Sequence, residues 1–290
     1  MSIIAHPGTT LRTAMKQGVV AVPGAFNALV ARAVADAGFD ATYVSGGATA
    51  NVAGYPDIGL ITLTEMCRTI SEIALASGLP VIADADTGYG ELETSSRTIQ
   101  EYERAGAAGL HIEDQVFPKR CGHLDGKQLI ECDTMCMKIK AMVGARVDPD
   151  FLIIARTDAR GVTSMEDAIE RANAYRAAGA DMIFPEGLRD EEEFAQFAQA
   201  SPGLLLANMT EFGKTSIISL DRFGELGYSM VIYPLSMMRV AMGAVIPALK
   251  SLKENGCVST SLESMHTRQE LYSLLGYVPG EAWHFPASSR

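Results

Sequence analysis

The sequence predicts an α/β fold of the TIM (β/α)8 barrel class, on three observations. Short apolar runs alternate with longer helical patterns along the whole chain, giving about eight strand–helix units. The short runs are apolar throughout rather than alternating, as a parallel sheet covered by helices requires. A junction also recurs: AGFDATYVSG at 37–46, AGAAGLHIED at 105–114 and AGADMIFPE at 178–186. Each reads as a helix end with glycine, a brief turn, then a strand. A doubly wound open sheet would need a crevice motif such as G-x-G-x-x-G after its first strand, and none is there.

In order, the strand runs are VVAVPG from 19, DATYVSGG from 40, PVIADAD from 80, AGLHIED from 108, FLIIART from 151, DMIFPE from 181, LLLANMT from 204 and YSMVIYP from 228. They are rich in β-branched residues and end in polar or glycine positions. Helical patterns fall at roughly 25–38, 64–78, 94–106, 133–146, 164–179, 190–200, 219–226 and 235–254. Thr64 and Ser164 stand where helices start, and Gly38, Gly78, Gly106 and Gly179 where they stop. No linker divides the chain, so residues 1–290 read as one barrel domain with its C-terminal helical segment.

A net charge of -11 argues against nucleic acid and anionic membranes as partners, because both need basic patches. The five cysteines are odd in number and irregularly spaced, which reads as reduced thiols in a cytoplasm rather than as a disulfide or zinc framework. The N-terminal segment has no basic region followed by a long apolar run, so no secretory signal is expected. The most apolar stretch, Val231 to Leu249, is interrupted by Pro234 and Arg239 and reads as a buried strand and a buried helix rather than a membrane span.

Polar residues concentrate at the C-terminal ends of the strands, which in a barrel converge on one mouth. They are Ser45, Asp84, Asp86, Glu113, Asp114, Arg156, Asp158, Glu186, Asn208 and Thr210. Asp84 and Asp86 are two apart, so on a continuing strand both carboxylates face one side. With Glu113 on the next strand and Asp57 after the second, they make a hard-oxygen set suited to Mg²⁺ or Mn²⁺. Capping of the next helix or pairing with arginine is the plain alternative. The loop Lys119-Arg120-Cys121-Gly122-His123 surrounds one thiol with two cations and a histidine, which lowers a thiol's pKa and suits it to donate and recover a proton. The same cations give an acidic chain a local field for an anionic substrate. Arg156 is equally suited to clamp a substrate carboxylate or to pair with Glu113 or Glu186, and Arg239 and Arg268 are weaker cases. Ser45-Gly46-Gly47 offers backbone N–H groups to a carboxylate, or is a simple turn. Tyr43, two residues earlier, points toward the same site. His111 reads as a satisfied core histidine.

Taken together, VSGG, PDIG, DADTGYG, GLHIEDQ, KRCGH, ARTDA, FPE, NMTEFG, YPLS and MHTRQELY resemble the isocitrate lyase/phosphoenolpyruvate mutase superfamily, and within it the methylisocitrate lyase branch. The resemblance spans about residues 8 to 280 and implies the following. Asp84 and Asp86 hold Mg²⁺, with Asp57 and Glu113 helping through water. Ser45, Gly46 and Gly47 bind a pyruvate-like end. Cys121 is the catalytic acid in a loop with Lys119 and His123, and Gly122 lies near the substrate. Arg156, Glu186, Asn208, Thr210, Arg239 and Arg268 contact carboxylates or hydroxyls of a small polycarboxylate. The implied reaction is cleavage of 2-methylisocitrate to pyruvate and succinate, as in propionate catabolism, with Tyr43 or a carboxylate acting through water as base. The implied assembly is a homotetramer whose last barrel helix is exchanged between subunits. A 2,3-dimethylmalate lyase or oxaloacetate hydrolase is the alternative within the superfamily, and a non-catalytic binding barrel lies further off.

Overall fold

The computed structural model describes residues 6–122, 124 and 126–285. Its eight strands are β1 (Val20–Pro23), β2 (Thr42–Val44), β3 (Val81–Asp84), β4 (Gly109–Glu113), β5 (Leu152–Thr157), β6 (Met182–Pro185), β7 (Leu206–Asn208) and β8 (Met230–Tyr233). All pair in parallel, in two runs ordered β1-β8-β7 and β2-β3-β4-β5-β6. Bridges between Gly24 and Tyr43 and between Ile183 and Leu205 join the runs, so the sheet closes into a barrel. The open-sheet alternative is thereby excluded.

The helices are α1 (Pro7–Met15), α2 (Ala28–Asp36), α3 (Gly46–Val52), α4 (Leu63–Ser77), α5 (Leu92–Ala105), α6 (Cys132–Ala145), α7 (Ala159–Val162), α8 (Met165–Ala177), α9 (Glu191–Ala200), α10 (Leu220–Glu225), α11 (Ser236–Asn255) and α12 (Arg268–Leu274). The eight helical patterns in the sequence correspond to α2, α4, α5, α6, α8, α9, α10 and α11. The start of α4 is corrected from Thr64 to Thr62, whose side chain and Glu65 form a reciprocal capping box. Gly78 and Gly106 end α4 and α5 in the left-handed conformation.

Side-chain alternation divides the apolar residues into two sets. Val22, Tyr43, Ile82, Ile154, Phe184, Leu206 and Ile232 fill the barrel interior. Their neighbours, including Val44, Ala83, Ile112, Ile153, Ile183 and Val231, pack outward under the helices. Leu11 of α1 joins the interior set and closes the bottom of the barrel, where Arg12 donates to the Asp150 carbonyl and to Asp181, each at 2.8 Å.

The expectation of a buried helix over 235–254 is wrong. Helix α11 has no buried residue, and Val240, Val245, Ile246, Leu249 and Leu252 lie exposed along it. Its apolar periodicity is real, but nothing among the described residues covers that face.

Candidate active site

The polar residues reach the mouth because inward parity continues past the apolar layers. Two residues beyond Ile82, Ile154, Phe184 and Leu206 stand Asp84, Arg156, Glu186 and Asn208. Strand register sets His111 beside Asp84 and Glu113 beside Arg156. One cavity of about 60 Å³ is lined by Tyr43, Ser45, Gly47, Asp57, Asp84, Lys119, Cys121, Gly122, Arg156, Glu186, Asn208 and Thr210. Most of the expected site thus meets in one place.

Asp84 and Asp86 converge for a reason other than strand alternation. Strand β3 ends at Asp84, and Asp86 adopts a left-handed backbone with φ 44° while its N–H donates to Asp84 Oδ1 at 3.0 Å. Ser45-Gly46-Gly47 is neither a free turn nor a strand end. It opens α3, with the Ser45 hydroxyl accepting from the Ala48 N–H at 3.2 Å and the Gly46 N–H donating to Asp84 Oδ2 at 3.1 Å. A Cβ on Gly46 would stand 2.8 Å from Asp84 Oδ2 and 3.3 Å from Asp86 Oδ1, so glycine is what lets these carboxylates crowd the helix start.

Lys119 corrects the expected role of the cationic loop. Its ammonium turns inward to pair with Asp57 and, at 2.8 Å, with Asp86. Its charge thus faces the acidic cluster across the mouth. Carboxylates still outnumber it. Burial, then the charge of Asp84, pushes the Asp86 carboxyl up to about 6, and burial raises Glu113 well above its ordinary range. Burial raises Asp84 too, but Lys119 and Arg156 are among the groups that reverse this, and the net shift is downward.

Arg156 fulfils the ion-pair expectation. Nε and Nη2 donate to Asp158 at 2.9 and 3.1 Å, Nε lies 3.3 Å from Glu113, and the guanidinium sits 5.2 Å from the Phe184 ring centre. Among the described residues Nη1 has only a 3.7 Å contact with Glu186, which leaves its donors toward the cavity. Asn208 donates to Glu186 at 3.2 Å, and Thr210 accepts from Arg239 at 3.1 Å. Arg239 itself is drawn to Glu211 and does not line the cavity. Arg268 lies exposed at the start of α12, away from it. His123 lies outside the described residues.

Tyr43 is corrected as a base. Burial, reinforced by Asp84, holds its phenol well above 10, so it carries its proton at neutral pH. Its hydroxyl lies 2.6 Å from His111 Nε2, and burial lowers His111 to about 4, so this ring is neutral. His111 Nδ1 faces Asp84 Oδ1 at 3.6 Å without a hydrogen bond. His111 therefore belongs to the site, not merely to the core.

Residues 11–253 match the family profile described as phosphoenolpyruvate phosphomutase. The chain belongs to the phosphoenolpyruvate mutase/isocitrate lyase family. It is 52% identical over 260 residues to a probable 2-methylisocitrate lyase 1 of Corynebacterium glutamicum, covering 89% of this chain and 85% of that one. A 2-methylisocitrate lyase of Aeropyrum pernix is 49% identical, covering 94% and 88%. Among solved structures, a 2,3-dimethylmalate lyase superposes with TM-score 0.88 at 39% identity, covering 94% of this chain and 92% of that one. A phosphonopyruvate hydrolase solved with oxalate and Mg²⁺ superposes with TM-score 0.84 at 28% identity, covering 94% and 95%.

The donor set fits a magnesium ion of this family only in part as expected. Among the described residues no three His, Cys, Asp or Glu side chains converge closely enough to ring a metal by themselves. Mg²⁺ rarely needs that, since it is usually held by one or two carboxylates and keeps several waters. Among the described residues, Glu113 Oε1 is buried without a hydrogen-bond partner, and Asp86 Oδ1 is buried against the Lys119 ammonium at 2.8 Å. An orphaned carboxylate oxygen in an acid-rich pocket is what a hydrated divalent cation satisfies.

Proposed function

We propose that the chain is a Mg²⁺-dependent carbon–carbon lyase that cleaves 2-methylisocitrate to pyruvate and succinate, a step of propionate breakdown through a methylcitrate cycle. The observation that carries this reading is the single cavity that brings Cys121 and Gly122 against Arg156, Glu186 and the acidic cluster. The relatives at 49–52% identity support the choice of substrate.

When bound, Mg²⁺ (or Mn²⁺), held by Asp84 and Asp86 with Asp57 and Glu113 behind water, supplies a Lewis acid and a template for the 2-hydroxy-carboxylate end. Ser45 and the Gly47 backbone receive that end, because the Gly46 N–H is already committed to Asp84. Arg156 Nη1, Asn208 and Thr210 hold the far carboxylates, with Arg239 fixing Thr210 and Glu211. Asp57 is the best-placed base: it lines the cavity, and Lys119 engages one of its oxygens while the other faces Gly47. It takes the C2 hydroxyl proton, the O–H pair becomes the carbonyl of pyruvate, and the C2–C3 pair moves onto the succinate carbon. Cys121 gives that carbon its thiol proton, and the proton held by Asp57 returns through solvent to the thiolate.

We further assign a homotetramer with α11 lying on a neighbour. The support is its uncovered apolar face, and Arg268 would then reach a site only across a subunit boundary. A cytoplasmic location is consistent with five free cysteines, and no described helix is long and apolar enough to cross a membrane. The second reading, 2,3-dimethylmalate lyase, has the support of a solved 2,3-dimethylmalate lyase at 39% identity. Product analysis with 2-methylisocitrate, 2,3-dimethylmalate, isocitrate and oxaloacetate, each with and without chelator, separates the two. Pyruvate and succinate formed fastest from 2-methylisocitrate, and abolished by chelator, is the expected result. Faster turnover of dimethylmalate moves the chain to the sister activity.

A further inference from the structure

Two side chains with no part in the chemistry above grip the chain on either side of Cys121. On the near side, Gln115 Oε1 accepts from the Arg120 N–H at 2.9 Å, and Gln115 Nε2 donates to the Arg120 carbonyl at 2.9 Å. One primary amide thus satisfies both backbone groups of the residue before the cysteine, as a strand partner would. Gln115 is itself buried and bridges backbone to Leu129, so its own position is fixed. On the far side, the buried Lys127 ammonium donates to the carbonyl of Gly122, the residue after the cysteine, and to Asp158 Oδ1 at 2.6 Å.

Asp158 makes the second grip specific. The same carboxylate holds Arg156 through Nε and Nη2, so Lys127 is tied through one shared anion to the guanidinium that lines the cavity. Gly122 lies so close that a Cβ there would stand 2.5 Å from Glu186 Cγ and closer still to the Arg156 guanidinium. A buried lysine that uses one donor on a backbone carbonyl and another on a buried carboxylate sets a position rather than balancing surface charge.

We propose that Gln115 and Lys127 are positioning residues that fix the Cys121 thiol over the cavity from both sides. This rests on the lyase reading for its kinetic consequence but not for its structural one. Proton delivery is sensitive to sub-ångström placement, so releasing either grip lowers the rate of the step Cys121 serves more than it lowers substrate affinity.

Gln115→Met keeps the length of the side chain, Lys127→Met shortens it by one atom, and both remove the polar groups that make the grip. Expected for both is a kcat reduced about 10–100-fold with KM changed only a few-fold, a split that a general loss of stability does not give. Alkylation of Cys121 by iodoacetamide, followed by peptide mass analysis without any substrate, should become about tenfold faster in each variant. Unchanged labelling in both folded variants overturns the proposal. If the unmodified chain cleaves none of the four acids, the function reading fails while the labelling comparison still stands. Should a variant not fold, hydrogen exchange on the unmodified chain decides: the Arg120 amide is expected to be protected, and exchange at the rate of a free peptide overturns the grip.

Discussion

Asp158→Asn isolates what the buried charge at the mouth contributes. Asp158 is fully buried and faces two cations, Arg156 through two hydrogen bonds and Lys127 through one. Burial alone pushes its carboxyl up, but Arg156 and Lys127 more than reverse this and the net shift is downward. Asparagine keeps the volume and removes the charge. Among the described residues, Arg156 retains Glu113 and Glu186, whereas Lys127 keeps the Gly122 carbonyl and an uncharged amide oxygen but no carboxylate, so its ammonium is left buried without a counter-ion. Breaking such a pair costs about 3–5 kcal/mol. With an unfolding entropy of about 2.1 cal/mol/K per residue over this chain, the loss is a fall in Tm of roughly 5–8 °C. The sign with pH follows from the depressed pKa. The wild-type advantage is present above the unfolded value of about 3.9 and is lost as pH falls through the lower folded value. The assay is thermal unfolding of both proteins at one fixed concentration between pH 8 and pH 3. A variant as stable as wild type at pH 7, or a gap that already closes near pH 6, refutes the charge argument.

Cys121→Ser should leave the unfolding transition in place and lower turnover about 10²–10⁴-fold, measured as pyruvate release; a near-normal rate removes Cys121 as the acid. Gly122→Ala should lower kcat/KM about 100-fold, because its Cβ meets Arg156 and Glu186, while secondary structure by circular dichroism is unchanged. Thiol alkylation at pH 8 should modify Cys257 well before Cys67 and Cys132. The first is exposed and lowered by Ser259, whereas burial pushes the other two up to about 11. Equal rates for all three contradict those environments.

The barrel was legible because the strands are apolar along their length and several of the longer helices carry a stop or start signal, so period and punctuation agree. Helix α3 was hidden because Gly46-Gly47 argues for a turn, although Ser45 ahead of a run of small residues was a usable cap signal. Helix α1 had a signal too, in Pro7 at its first position. Strand ends gave away Asp84, Glu113, Arg156 and Glu186, since polar residues at the end of an apolar strand need a partner or a ligand there. Lys127 and Gln115 stand in a polar loop, where such residues are ordinary, and their meaning comes from folding back on Cys121. The inward turn of Lys119 was equally invisible, because sequence gives its neighbours along the chain and not Asp57 across the mouth.

Helix α11 offers an apolar face that no described residue of its own chain covers. If that face lies on a neighbour, each chain finishes a copy other than its own, and inheritance of damage changes with it. A chain faulty only in the part of α11 beyond Arg239 would keep its own mouth and spoil the next one, so mixed expression of sound and faulty chains would silence sites on sound chains as readily as on faulty ones. Complementation would run the other way: a chain broken at Cys121 but sound in α11 could restore a partner that has the opposite fault.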